Sequence, residues 1–292
     1  MGNITAGMVK ELRERTGLGM MDCKKALSEA DGDMDKAIDD LRKASGIKAA
    51  KKASRVAAEG VVLTKIAEDG NYGVVIEVNS ETDFAARDNN FLDFAQQALE
   101  FAYSNSEADV AGLLDAGLED TRSALVQKIG ENCNVRRVER FQLTAEKAGV
   151  VESYVHSNNK IAVLISVTGG DEALARDVAM HIAAVNPLVV KAEDVPEEEI
   201  AKETEIYSAQ ARESGKPEEI IEKMISGRLR KFVAEVSLLE QPFVKDPDVT
   251  VGKLLKDADA SVVQFVRFEV GEGIEKEEID FADEVAAQVK GS

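Results

Sequence analysis

The chain has few of the residues on which most enzyme and metal sites depend. Its 292 residues include no tryptophan, two cysteines and two histidines. Cys23 and Cys133 lie far apart with no Cys-x-x-Cys spacing, which argues against a disulfide framework or a thiolate zinc site and fits a reducing compartment. Two histidines leave little for a metal cluster or a Ser-His-Asp arrangement. We therefore expect no metal and no cofactor, and an enzyme is the least favoured class.

The two histidines are expected in different surroundings. His181 lies between Met180 and Ile182 on an apolar helix, where a structural role is favoured over a ligand role. His156 stands at the edge of a strand, before the polar turn SNNK. For His156 a surface contact and a structural role both stay open.

Long apolar runs and phosphate-binding loops are also missing. No run approaches the roughly 18 to 20 apolar residues that cross a bilayer, and the first residues, MGNITAGMVKELRERTG, have no apolar core of a signal peptide. No Gly-x-x-x-x-Gly-Lys-Ser/Thr loop occurs, and Gly271-Glu272-Gly273 lacks a third glycine and has acidic neighbours. We expect a cytoplasmic protein with no nucleotide site of its own and no membrane partner.

Acidic residues outnumber basic ones by 55 to 36, giving a net charge of −19. The first 59 residues carry twelve Lys/Arg and ten Asp/Glu, so the negative charge belongs to the remainder. Such a charge repels nucleic acid phosphates, and we expect no direct nucleic-acid binding. A surface that keeps the protein soluble accounts for the acidic remainder. Carboxylates are too abundant here to indicate a catalytic pair.

Three short helices are predicted at the N-terminus. Thr5 can cap the first helix, Gly17-Leu18-Gly19 ends it, and the break at Asp31 to Asp33 precedes the third. Apolar residues recur at helical spacing: Met8, Val9, Leu12, Met20, Cys23, Leu27, Ala30, Met34, Ala37, Ile38 and Leu41. So small a core gives modest stability or leans on a partner. The basic segment GIKAAKKASR that follows is expected to be a mobile linker or a frayed helix.

A strand, turn, strand and helix unit then occurs twice. A shift of 89 residues without gaps superimposes Gly60-Val61-Val62 on Gly149-Val150-Val151 and Val74-Val75-Ile76 on Val163-Leu164-Ile165. The same shift aligns the identical Ala-Arg-Asp triplets at 86–88 and 175–177. Two α+β subdomains of one design are therefore predicted.

The remaining chain predicts a helical hairpin, a strand and a last helix. The hairpin helices open at Pro196 and Pro217, the run VVQFVRFEV at 262–270 closes the second subdomain, and IDFADEVAAQV is the terminal helix. The predicted division is an N-terminal module at 1–55, a first core subdomain at 56–145, a second at 146–186 with 228–270, a hairpin or coiled coil at 187–227 and a C-terminal module at 271–292.

One stretch, NSETDFAARDNN at 79–90, places an aromatic side chain at the point where a strand ends. Phe84 precedes Phe91 by seven residues, so an unbroken helix would put both in the core. Against this, the second copy has Ala173 at the equivalent position, and Asn89-Asn90 interrupts the helix. The alternative is a corner, capped by Ser80 or Thr82, that displays Asp83 and Phe84 to a partner as an anchor.

Four segments closely resemble bacterial elongation factor Ts: VKELRERTGLGMMDCKKAL, EVNSETDFAARDNNF, KIGENCNVRR and RFEVGEGIEK. The resemblance runs the whole length in the same order. It implies a nucleotide exchange factor for elongation factor Tu, the GTP-binding protein that delivers aminoacyl-tRNA to the ribosome. It also implies an N-terminal module similar to ubiquitin-associated domains, a duplicated α+β core, a coiled-coil hairpin and a C-terminal helical module.

The resemblance further implies which residues contact elongation factor Tu. Thr82, Asp83, Phe84 and Ala85 match the family's Thr-Asp-Phe-Val element, whose Asp-Phe pair intrudes beside the partner's magnesium site and helps dislodge the ion. Ala85 replaces the usual valine, so we expect the tip to present less apolar surface. By resemblance, Met20 and Met21 face the partner's nucleotide domain, and the segment Ile129-Gly130 and His156 lie near other contacts.

Two alternatives stay open. In one, the three-helix module and the hairpin grip a partner without exchanging its nucleotide, and complex formation that leaves GDP dissociation unaltered would favour it. An enzyme would require His156 or His181. The partner is expected in both nucleotide-bound and nucleotide-free forms. A homodimer or a two-to-two complex stays open, and so do three roles for the hairpin: dimerising the factor, stabilising the partner or contacting tRNA delivery complexes.

Overall fold

A computed structural model of the chain describes residues 4–143, 149–213 and 217–275. In these ranges the protein is an α+β fold with an N-terminal helical module, two three-stranded antiparallel sheets and a helical hairpin. The mixed α+β class predicted from the sequence is confirmed. The predicted terminal helix, IDFADEVAAQV, lies outside the described residues.

Three helices form the N-terminal module: α1 (Ala6–Thr16), α2 (Met20–Glu29) and α3 (Met34–Lys52). The Thr5 side chain accepts a hydrogen bond from the Met8 amide and caps α1, and Gly17 ends α1 in the left-handed region. The predicted apolar faces meet around Leu12, Cys23 and Leu27. The three-helix prediction is confirmed.

The basic segment after the module is not a linker. Its first seven residues are the last turns of α3, where Ala49 is buried in the core of the first subdomain. Further back on the same helix, Arg42 forms an ion pair with Asp120. The expectation of a mobile or frayed segment is wrong because alanine and lysine favour helix and this helix packs against the core.

The first subdomain is built on a sheet in the order β1 (Glu59–Ile66), β2 (Tyr72–Ser80) and β3 (Cys133–Gln142). Its helical elements are α4 (Asp83–Ala86), α5 (Asn89–Ser104), α6 (Val110–Leu113) and α7 (Glu119–Ile129), with a kink at Gly117 in the connection Leu114–Leu118 between the last two. The predicted helix bearing Phe91 is confirmed as α5. Sequence reasoning missed β3, α6 and α7.

The second subdomain has the same plan. Its sheet has the order β4 (Gly149–Val155), β5 (Ile161–Thr168) and β8 (Ser261–Glu269), and it is covered by α8 (Glu172–Val185). The closing strand predicted at 262–270 is therefore confirmed as β8, and β3 is its counterpart in the first sheet.

Detailed geometry repeats between the two copies. The β2–β3 ladder shifts register between Glu77 and Val78, and the β5–β8 ladder shifts between Ser166 and Val167, which are the same positions after the 89-residue shift. Gly60 and Gly149 are likewise equivalent, and a Cβ on either would lie within 2.4 Å of a carbonyl oxygen on the neighbouring strand. The predicted duplication is thus visible in bulges and close backbone contacts.

The two sheets pack against each other through one apolar layer. Its buried members come from both sheets and are Val62, Val75, Phe141, Val151, Ala162, Leu164 and Phe268. Helices α5 and α7 cover the other face of the first sheet, and α8 covers that of the second. The two subdomains are thereby joined through a shared apolar layer.

The helical hairpin consists of α9 (Glu197–Glu213) and α10 (Glu218–Val236). Both helices begin directly after the prolines predicted to open them, and α10 continues past the expected boundary at 227. The chain returns to β8 through β6 (Pro242–Phe243), β7 (Asp246–Thr250) and α11 (Val251–Asp257).

Candidate partner-binding site

The stretch at 79–90 forms a sharp corner between β2 and α5. The Thr82 side chain accepts a hydrogen bond of 3.2 Å from the Ala85 amide and so caps α4. The Ser80 hydroxyl donates to the Thr82 carbonyl at 3.0 Å. The helix breaks at Arg87-Asp88, and Asp88 caps α5 by accepting from the Asn90 amide. The expected interruption of the helix is present, but it lies at Arg87-Asp88, and Asn89 and Asn90 begin α5.

Phe84 projects from this corner into solvent. Its side chain is 79% exposed, the most exposed large apolar side chain in the described part of the chain, whereas Phe91 is fully buried. The break at Arg87-Asp88 ends the helical phase that would have placed both rings on one face. The core interpretation of Phe84 is therefore wrong, and the displayed interpretation agrees with the structure.

Asp83 lies beside Phe84 and is half-exposed. Its carboxylate accepts a 2.9 Å hydrogen bond from Arg87, one helical turn further on. Both side chains face solvent, so their mutual attraction is weak and contributes about 0 to 1 kcal/mol. A cation or a loop of a partner can therefore compete for the Asp83 carboxylate.

Ala85 does not belong to the displayed surface. Ala85 is only 5% exposed, because α4 packs against β1 and β2 and Ala85 lies on the side of α4 that faces these strands. The expectation that alanine in place of valine reduces the surface presented by the tip is thus not met. A larger side chain here would change the packing beneath the corner.

Glu131 is a functional candidate that sequence reasoning missed. Its carboxylate accepts a 3.0 Å hydrogen bond from the Thr82 amide and a 2.7 Å hydrogen bond from the Thr82 hydroxyl. The only sequence signal was its place in the segment KIGENCNVRR, directly after Ile129-Gly130. A hydrogen bond between residues 49 positions apart has no local pattern that would reveal it.

Gly130 ends α7 in the left-handed region and is exposed, while Ile129 is half-buried against the first core. The Gly130 carbonyl accepts a hydrogen bond from Lys52 at the end of α3. The structure thus brings the segment Ile129-Gly130 to the Thr82 corner through Glu131, and it ties the N-terminal module to the same place.

Met20 and Met21 occupy another surface. Both are exposed at the start of α2, where they line a groove of about 550 Å³. The groove combines apolar walls from Ile4 and Val9 with positive charge from Lys10, Arg13 and Lys24. This apolar and basic surface contrasts with the negative charge of the whole chain.

His156 lies in the exposed turn between β4 and β5, where Nδ1 is 3.1 Å from the side-chain oxygen of Asn158. The same turn is attached to the first sheet, because the Asn159 carbonyl accepts from the Val62 amide at 2.9 Å. Lys160 adds a 2.9 Å hydrogen bond to Glu59, which pairs with Ser80 in the sheet. The turn bearing His156 therefore lies at the same sheet end as the Thr82 corner.

His181, by contrast, is a satisfied core side chain. It is fully buried, lies 2.9 Å from Gln241 through Nε2, and accepts from the Val244 amide through Nδ1 at 3.2 Å. Burial lowers the pKa of His181, and the hydrogen bond with Gln241 acts in the opposite direction. The structural role predicted for His181 agrees with these contacts.

A buried carboxylate joins the two subdomains below the site. Glu77 on β2 is fully buried and accepts hydrogen bonds from Arg137 at 2.6 Å, from Arg136 at 3.1 Å and from the Gly271 amide at 2.8 Å. Gly271 follows β8, the closing strand of the second subdomain. Burial alone would raise the pKa of Glu77, but the bonds from Gly271, Asn79 and Arg137 together lower it.

The fold defines a class of duplicated α+β proteins in which two three-stranded sheets pack together and carry a helical module and a hairpin. The family model described as "Elongation factor TS" matches residues 81–272. Elongation factor Ts of Hahella chejuensis is 64% identical over 291 residues, covering 100% of both chains. Elongation factor Ts of Teredinibacter turnerae is 63% identical, covering 99% of this chain and 98% of its own. This chain belongs to the elongation factor Ts family of translation factors.

Among residues 4–143, 149–213 and 217–275, none of the helices combines the length and the apolar character that crossing a bilayer requires.

Proposed function

We propose that this protein is a guanine nucleotide exchange factor for elongation factor Tu. It binds the GDP-bound partner, promotes release of GDP and so allows GTP to bind, which supports translation elongation. Membership of the elongation factor Ts family supports this proposal. On this account the protein makes and breaks no covalent bond and needs no active site of its own.

The observation that carries the proposal is the exposed Phe84 on a corner held from several sides. Burial of such an aromatic side chain in a partner is worth roughly 2 to 4 kcal/mol. Thr82 and Glu131 hold the backbone that bears Phe84, so little conformational freedom is lost when the ring is inserted. A rigid apolar wedge with an adjacent carboxylate suits the opening of a phosphate-binding loop.

The proposed mechanism uses binding energy in place of chemistry. Asp83 and Phe84 enter beside the partner's magnesium site, where a second carboxylate and a bulky ring disturb the ion and the loops that hold the phosphates. Loss of the ion removes the counter-charge on the phosphates and weakens GDP binding. Thermodynamic linkage requires that GDP and the exchange factor weaken each other's affinity equally, each tenfold corresponding to about 1.4 kcal/mol. GTP then displaces the factor by the same reciprocal coupling.

Other residues are proposed to contribute to the affinity for elongation factor Tu and not to the release of its nucleotide. Met20 and Met21 in their basic groove, Gly130 and His156 are exposed, and the half-buried Ile129 lies beside Gly130. Ala85 supports the corner from below. The factor would therefore grip the partner at several places and act on the nucleotide at one.

Stopped-flow release of a fluorescent GDP from the cognate elongation factor Tu tests the proposal. The wild-type protein should raise the release rate to a plateau as its concentration increases, and the Asp83→Asn variant should reach a lower plateau in magnesium buffer. When a chelator has already removed the magnesium, the plateaus of the two proteins should converge. Complex formation that leaves GDP release unaltered would instead identify a module that only holds its partner.

A further inference from the structure

The Thr82 corner and the loop after α7 are joined by two carboxylates, one from each segment, and each accepts hydrogen bonds from the other segment. Glu131 accepts from the amide and the hydroxyl of Thr82, at 3.0 and 2.7 Å. Glu81, the neighbour of Thr82, accepts in return from the amide of Asn132, the neighbour of Glu131. We call this reciprocal arrangement of Glu81, Thr82, Glu131 and Asn132 the carboxylate clasp.

The clasp determines how Thr82 caps α4. Because the Thr82 hydroxyl donates a hydrogen bond to Glu131, a lone pair of its oxygen is turned toward the Ala85 amide, which donates at 3.2 Å. The cap therefore depends on Glu131. An α4 of four residues has too few internal hydrogen bonds to hold its conformation alone. Asp83 and Phe84 are the first two residues of this helix, so their direction depends on the cap.

The second copy of the repeat has the fold without the clasp. Gly170 stands in the place of Glu81, and Asp171 stands in the place of Thr82. Asp171 caps α8 directly by accepting from the Leu174 amide at 2.8 Å, and α8 continues for 14 residues without a break. The shared fold thus does not need a clasp at this corner. The clasp accompanies the short helix that carries Phe84.

The clasp is also attached to the N-terminal module. The Asn132 side-chain amide donates to the Arg55 carbonyl at 2.8 Å, and the Arg55 guanidinium lies 3.4 Å from Glu81. Arg55 follows α3, whose Lys52 donates to the Gly130 carbonyl. The clasp therefore lies at the junction of the N-terminal module, the α7–β3 loop and the corner.

We propose that Glu131 is a positioning residue for Phe84, with Glu81 as its reciprocal partner, and that the clasp fixes the direction in which Phe84 enters elongation factor Tu. This inference rests on the proposed exchange function. Without Glu131 the factor still binds through its other surfaces, but fewer of the bound complexes have Phe84 inserted. The plateau rate of GDP release falls, and the concentration of factor at half-maximal rate changes much less.

A double-mutant cycle tests the role of Glu131. Glu131→Ala should lower the plateau release rate by about tenfold, which corresponds to about 1.4 kcal/mol. In a Phe84→Ala background the same substitution should have no further effect, because Glu131 acts through the ring. Glu131→Gln, which keeps one acceptor oxygen, should give an intermediate rate. Glu100→Ala is the matched control, because Glu100 is paired with Lys65 at the opposite end of β1 and should leave the plateau unchanged.

Equal losses from Glu131→Ala in the wild-type and Phe84→Ala backgrounds, or an unchanged plateau in Glu131→Ala, would overturn the positioning role. Thermal melts of every variant show whether a lower plateau rate reflects unfolding. If Glu131→Ala is unfolded, Glu131→Gln takes its place in the double-mutant cycle.

A second readout separates the inference from the exchange function. In the free protein labelled with fluorophenylalanine, Glu131→Ala should shift or broaden the ¹⁹F resonance that Phe84→Ala removes, and Glu100→Ala should not. If the wild-type factor fails to accelerate GDP release, the proposed exchange function is refuted. The ¹⁹F resonance of Phe84 still tests whether Glu131 fixes the position of the ring. An unperturbed Phe84 resonance in Glu131→Ala would refute the clasp itself.

Discussion

The hydroxyl oxygens of Thr64 and Ser153 lie 3.0 Å apart between the two sheets, and the two residues occupy the same position in the two copies of the repeat. The copies therefore meet at equivalent points. Equivalent bulges and equivalent glycines support the same correspondence. Differences between the copies consequently separate what the fold requires from what only one copy carries, and Phe84 against Ala173 is such a difference.

An aromatic side chain moved to the second copy should not replace Phe84. Ala173 is exposed, so Ala173→Phe should change the free energy of unfolding by no more than about 0.5 kcal/mol. In a Phe84→Ala background it should leave GDP release at the rate of Phe84→Ala alone, because no clasp holds that corner and it faces another part of the surface. Restored release in the stopped-flow assay would show that an aromatic group at either corner suffices.

Glu77 should make stability depend on acid. Because its pKa is lowered in the folded protein, its contribution to stability is present above the ordinary glutamate pKa of 4.5 and is lost as the pH falls through the lower folded value. Glu77→Ala should cost about 3 to 5 kcal/mol at neutral pH, because Arg136 and Arg137 then lose their shared buried partner.

Urea unfolding at a series of pH values checks the role of Glu77. The difference in unfolding free energy between wild type and Glu77→Ala should shrink below pH 4.5. Glu100→Ala, which removes an exposed carboxylate, is the control and should cost about 0 to 1 kcal/mol. A pH-independent difference for Glu77→Ala would contradict the assignment.

Ala85→Val should lower the stability of the protein without adding a contact to the partner. The Ala85 side chain is buried beneath the corner, so two added methyl groups must be accommodated by the surrounding packing, at a cost of about 1 to 3 kcal/mol. Thermal unfolding should show this loss, and the plateau of GDP release should not rise above the wild-type value. A raised plateau at unchanged stability would mean that residue 85 contacts the partner directly.

Cys133 should resist thiol reagents in the native protein. Burial raises its pKa to about 12, and the carboxylates of Glu131 and Glu81 act in the same direction. Cys23 is also buried. Reaction with a chromogenic disulfide reagent at pH 8 should therefore be slow for both thiols until denaturant is added. Rapid labelling of native protein, absent in Cys133→Ala, would show that the α7–β3 region opens readily.

Periodicity and internal repetition predicted much of the fold. The three N-terminal helices, the two strand pairs, α5, α8 and β8 all have apolar patterns that depend on neighbouring residues in the chain. The strand β3 was missed because its arginines and glutamate interrupt the alternation, and two of those arginines, Arg136 and Arg137, are paired with Glu77 from another strand. The end of α3 was missed because its packing partner, α7, lies more than sixty residues away.

The candidate site was predicted in part. Comparison of the two copies identified Phe84 as unnecessary to the fold, and its exposure agrees with that interpretation. The burial of Ala85 and the hydrogen bonds between Glu131 and Thr82 could not be predicted, since both depend on contacts between distant segments. The assignment of Met20, Met21, Ile129, Gly130 and His156 as partner contacts stays a prediction.

The central claim is that Phe84 is the principal lever on the partner's nucleotide. The most direct measurement is the plateau rate of fluorescent GDP release from elongation factor Tu at saturating Phe84→Ala, beside wild type and Asp83→Ala. We expect an intact fold and a plateau lowered about thirtyfold or more for Phe84→Ala, the equivalent of about 2 kcal/mol. Wild-type plateaus for both Phe84→Ala and Asp83→Ala would contradict it.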